Sequence, residues 1–144
     1  MIPLRLKAPL WLVGVGAALL LAMFAIASQL PPTTRTLDGS LTLRHAVPIG
    51  APVVGKDYPC VGVGGFDDIR GGATVVVYDA ADKILAMGRL DPGRANDATG
   101  DCIFLFAVPD VPTSDFYRVE VAHRGQVPFT QRQVDDHQVQ LTLG

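Results

Sequence analysis

Residues Tyr58 to Asp79 read YPCVGVGGFDDIRGGATVVVYD: one cysteine, five glycines and the adjacent acids Asp67 and Asp68, running directly into an apolar stretch. Either this is a reactive site or it is the punctuation ahead of a strand, and its chemistry favours punctuation. Neighbouring side chains of an extended chain point to opposite faces, so Asp67 and Asp68 in a strand do not work as a carboxylate pair. Gly62, Gly64 and Gly65 lack the spacing of a dinucleotide fingerprint, and no helix follows them. Glycine and aspartate form turns because one tolerates positive φ and the other bonds its own backbone. The stretch therefore predicts a glycine-rich connection from Cys60 into a strand at Val75, with an aspartate accepting hydrogen bonds from the loop.

The strand that begins there is one of several. SLTLRH from Ser40 alternates small or polar with apolar, as a half-buried strand does, ATVVVYD, KILAMGRL, CIFLFAV, YRVEVAH and QVQLTL follow as further short strand-like runs, and VPFTQRQV is a weaker one. Turn chemistry separates them: YDAADK as a hairpin loop, a turn started by Asp91, Pro92 and Gly93, and a third over Asp110 to Asp115. After Leu30 there is no amphipathic stretch of helical length. Six or seven short strands at this spacing predict an all-β, Ig-like antiparallel sandwich over residues 40–144, with Val75, Val77, Ile103, Leu105, Val119 and Val121 facing one core.

The chain of 144 residues has room for one such domain because its start is different. Arg5 and Lys7 precede an almost uncharged run to Leu30, long enough for a membrane span with its positive end in the cytoplasm. Ala25 and Ala27 also form an A-x-A signal, which would release a secreted chain beginning at Ser28. Residues 1–30 are thus read as a transmembrane anchor or signal peptide, and 31–39, with Pro31 and Pro32, as an extended tether. Both readings put the domain outside the cytoplasm, where the two cysteines, Cys60 and Cys102, are most simply a disulfide.

The order GATVVVYDAADKILAMGRLDPG, GDCIFLFAVPDVP, FYRVEVAHRG resembles the prealbumin-like sandwich of carboxypeptidase regulatory-like and Cna-B domains, over about residues 71–125. Gly64, Gly65, Asp67, Asp68 and Ile69, with His123 to Gly125, are similar to short exported proteins of high-GC bacteria, which nine arginines against three lysines suit. The resemblance implies a non-catalytic folding support or binding module. It also implies no isopeptide bond, since the sole asparagine, Asn96, lies in a loop and not on a terminal strand.

Chemistry beyond the loop is sparse. Neither Ser40 nor Ser114 sits in a G-x-S-x-G elbow, and nucleophilic catalysis needs a base beside the nucleophile and a third group behind it. His123 ends a strand and reads as a backbone-satisfied residue. No catalytic residue, cofactor or dedicated metal site is expected. Asp67, Asp68, Asp91, Asp97 and Asp101 are weak calcium candidates whose spacing matches no EF-hand loop. Past Ala27 there are ten basic and fourteen acidic residues, a balance that argues against nucleic acid. The expected role is that of a membrane-held interaction domain, an accessory subunit or scaffold with a protein partner in a membrane or envelope assembly. Tyr58, Phe66, Arg70, Phe116 and Arg124 are its candidate contacts. The alternative is a secreted module binding a small ligand, calcium or envelope glycan through the glycine and aspartate loops.

Overall fold

The computed structural model describes residues 33–44, 46–48, 59–96 and 98–144. The anchor or signal segment, Tyr58 and Asp97 lie outside these residues. Among the described residues no helix is long and apolar enough to cross a membrane.

Among the described residues ten strands form two sheets: β1 (Thr34–Leu43), β2 (Ala46–Pro48), β3 (Pro59–Gly62), β4 (Thr74–Tyr78), β5 (Ile84–Arg89), β6 (Gly93–Ala95), β7 (Cys102–Pro112), β8 (Phe116–Val121), β9 (Gln126–Thr130) and β10 (Val139–Leu143). One sheet has the order β10-β1-β7-β6-β3-β2 and the other β5-β4-β8-β9. The all-β sandwich is thus observed, with three more strands than the seven expected runs, because β2 and β6 have only three residues each and β3 only four. β1 takes in Thr34 to Gly39, so this part of the expected extended tether is a strand of the domain.

Alternation holds on β8, whose Val119 and Val121 pair with Val77 and Val75 of β4, all four buried; on β4 Val76, on the opposite face, is buried too. On β7 the expected parity is reversed: Cys102, Phe104, Phe106 and Val108 face the core, Ile103 is half-buried, and Leu105 is 56% exposed. Cys102 sets this phase. It is fully buried and bonded to Cys60, so the residues two and four further on must follow it inward.

β7 also runs through half of the expected turn at Asp110 to Asp115. A bulge sets Pro109 and Asp110 opposite Thr36, with Asp110 at φ 57°; such bulges are where a sheet accepts proline. The turn itself shrinks to Thr113–Asp115. There the buried Tyr117 holds it, its hydroxyl accepting from Ser114 N–H at 2.9 Å and donating to Pro112 O at 3.4 Å. The second expected turn is tighter as well, for Gly93 already belongs to β6. Leu90 bridges Phe106 and Asp91 N–H donates to Leu105 O at 2.8 Å, so the chain from β5 to β6 crosses from one sheet to the other.

The weak strand over VPFTQRQV splits. β9 stops at Thr130 and a short helix, α1 (Gln131–Asp135), begins. Thr130 and Gln133 form a capping box: Thr130 Oγ1 accepts from Gln133 N–H at 3.3 Å, and Gln133 Oε1 accepts from Thr130 N–H at 2.9 Å. This crossover brings β10 alongside β1 in the same direction. The β1/β10 pair is parallel, from Gly39 opposite Val139 to Leu43 opposite Leu143, a departure from the expected all-antiparallel order.

Candidate functional site

The opening stretch folds as a closed loop. Gly62 N–H donates to Ile69 O at 2.9 Å, Ile69 N–H to Phe66 O at 2.9 Å, and Phe66 N–H to Val63 O at 3.3 Å. Ile69, fully buried, plugs the loop into the core. A Cβ at Gly62 would lie 2.0 Å from Phe66 O, so only glycine permits this closure. Gly64 and Gly65 take φ of 59° and 95° at the tip.

One side of the loop is tied to the β8–β9 hairpin. Arg124 donates through Nε to Asp68 Oδ2 at 3.1 Å, through a terminal nitrogen to Asp68 Oδ1, and to Gly65 O at 2.6 Å. Its guanidinium lies 5.0 Å from the centre of the Phe66 ring. The Arg124 hydrogen bonds hold the Asp68 carboxyl below the usual carboxylate range, and the same bonds raise Arg124. Three of the residues expected to act as contacts or ligands, Phe66, Asp68 and Arg124, therefore meet as a staple between two loops. Asp67 and Arg70 are exposed beside it. Phe116, 55% exposed, stands at the far end of β8 and does not join them.

Near His123 a second polar chain crosses the outer face of the smaller sheet. Tyr78 donates to Glu120 Oε2 at 3.3 Å, and His123 Nδ1 lies 3.0 Å from Glu120 Oε1. Burial, then the charge of Glu120, raises the Tyr78 hydroxyl. His123 is thus held by a carboxylate side chain and not by backbone as expected.

The calcium candidates separate. Asp67 and Asp68 lie in the glycine loop, whereas Asp91 lies between β5 and β6 and Asp101 at the end of the β6–β7 loop. Among the described residues no three His, Cys, Asp or Glu side chains gather into a metal-ligand group. Between Asp91 and Leu105 the outer face of β6 and β7 carries a groove of about 640 Å³, with Pro92, Ala95, Ile103 and Leu105 as its apolar wall and Asp91, Arg94 and Asn96 as its polar groups. The sequence does not reveal this groove, because the expected parity of β7 turns Leu105 inward whereas it is exposed.

Strand edges differ in their protection. β9 carries Pro128, β2 is three residues ending in Pro48, and β5 is broken by a bulge at Leu85, with Leu90 just beyond its end bridging Phe106 of β7. β10, VQLTL, has neither proline nor charge, and among the described residues β1 is its only strand partner.

Among the described residues these features define a two-sheet β domain with a disulfide between β3 and β7, a stapled glycine loop and one sheet edge without proline, charge or cover. No protein-family model, curated protein or solved structure matches the chain.

Proposed function

We propose that this chain is a non-catalytic interaction domain, held outside the cytoplasm by its apolar N-terminal segment, which joins another protein chain by strand addition in a membrane or envelope assembly. Kinship with prealbumin-like regulatory domains is part of this reading. The β10 edge, bare among the described residues, carries it. Unpaired N–H and C=O groups along an edge bind another strand unless proline, charge, a bulge or a cover prevents it, and the other described edges have such a device. The glycine loop, with its Asp68–Arg124 staple, supports the framework and is not itself the site.

The test is native capture of the tagged full-length chain from membranes in mild detergent, with wild type beside Gln140→Lys/Thr142→Lys. Both positions are exposed, so lysines there block the edge without entering the core. Stoichiometric companions held by wild type and lost from the variant are expected; identical companions in both would overturn the role of β10.

A second reading rests on the groove of about 640 Å³, which is within the size range of small-molecule sites. In that reading the domain is secreted and takes a ligand beside Arg94. Binding there should fall on Leu105→Asp and be indifferent to the β10 lysines.

A further inference from the structure

We infer that the strand added at β10 is β10 of a second copy of this chain, paired antiparallel about Leu141. This rests on the strand-addition reading above and names the partner for it.

Three observations lead there. First, β10 alternates cleanly: Val139 and Leu141 are buried, Leu143 is half-buried, and Gln140 and Thr142 are exposed. Centred on Leu141, an antiparallel pair sets Val139 against Leu143 of the second copy, Gln140 against its Thr142, and Leu141 against Leu141. Apolar meets apolar on the core side and polar meets polar outside. A one-residue slip would oppose every apolar side chain to a polar one. Second, symmetry selects the direction. A twofold axis perpendicular to the sheet pairs the strands antiparallel and keeps both cores on one side, whereas a twofold along the strands would put the two cores on opposite faces of the joined sheet. Third, the same edge leaves apolar surface to cover. Val127, on the core-facing side of β9 opposite the buried Val119, is 39% exposed, and it lines a crevice of about 30 Å³ together with Leu141 and Leu143, with Thr142 and Arg124 as its polar groups. A second copy laid along β10 closes this crevice on both chains. No charged residue lies between Gln138 and Leu143, so the symmetric pairing opposes no like charges.

The experiment measures self-association of the full-length chain in mild detergent by sedimentation, for three proteins: wild type, Gln140→Lys/Thr142→Lys, and Gln140→Lys/Thr142→Glu. In the inferred register position 140 of one chain faces position 142 of the other. The two-lysine variant thus sets lysine against lysine twice, and the lysine/glutamate variant makes two opposite-charge pairs. Wild type should dimerise, the two-lysine variant should dimerise about 10-fold more weakly, and the lysine/glutamate variant should recover to near wild type. Unchanged melting temperatures check that both variants fold. A monomeric wild type, or equal behaviour of the two variants, overturns the inference. If wild type is monomeric but its two-lysine variant still loses a different membrane companion, strand addition stands and the second copy alone falls.

Discussion

Replacing Gly62 by alanine tests whether the opening stretch is a structural closure. The new Cβ would sit 2.0 Å from Phe66 O and 2.8 Å from its carbonyl carbon, both backbone atoms that no side-chain rotation can clear. The loop must move by an ångström or more. That movement breaks the 2.9 Å bond from Gly62 N–H to Ile69 O, a loss of about 1 kcal/mol. It also lifts Ile69, now fully buried, toward water, at about 2–3 kcal/mol. Together the cost is about 3–4 kcal/mol, a fall in Tm of roughly 12–16 °C for a domain of this size. Gly64→Ala is the control: at φ 59° and with open space around it, alanine bears only the left-handed backbone penalty, about 1 kcal/mol or 4 °C. Thermal unfolding of both variants followed by circular dichroism decides the matter. A Gly62→Ala protein melting within about 3 °C of wild type, or a Gly64→Ala protein destabilised as much, would refute the reasoning.

Three further predictions use other parts of the framework. Serine at both Cys60 and Cys102, separated by 42 residues in sequence, should cost about 4 kcal/mol by loop entropy, and wild-type melting should fall comparably in reductant; melting indifferent to reductant would remove the bridge from the account. Tyr117→Phe should lower stability by about 1–2 kcal/mol in denaturant titration, because Ser114 N–H and Pro112 O lose their partner; no change would show that water replaces the hydroxyl freely. Asp68 has a folded pKa lowered chiefly by the Arg124 hydrogen bonds, so its contribution is complete above the unfolded value near 4 and fades as pH falls through the lower folded value. Asp68→Asn should therefore flatten the acid limb of a Tm against pH plot below about pH 4 and leave the slope between about pH 6 and 8 unchanged; an unaltered acid limb would contradict the staple.

Much of the fold is legible wherever the pattern has a phase. TVVVY and YRVEV carry one, since polar Thr74, Arg118 and Glu120 mark the outer face, and the buried valines follow. CIFLFAV carries none by itself, being apolar at every position, and Ile103 and Leu105 look as suitable for a core as Phe104 and Phe106. The missing phase was present in the chain all the same: Cys102 must point inward to reach Cys60, and the alternation starts from there. The start of α1 was legible too, as Thr130 followed at three residues by Gln133. The Asp68–Arg124 staple was not, because 56 residues separate its members and only the packing of two loops joins them. β10 shows both limits. Its uncharged, proline-free composition stands in the sequence, but its position at a sheet edge, parallel to β1, follows from the crossover through α1.

Amide hydrogen exchange of the full-length chain, extracted in mild detergent with whatever accompanies it, tests the interaction reading most directly. The account predicts protection of residues 139–143 in the assembled protein, lost when the assembly is diluted apart while the β4 and β8 amides stay protected. Exchange at β10 that is the same in both states, with protection gained instead along the Asp91 to Leu105 groove, would contradict it.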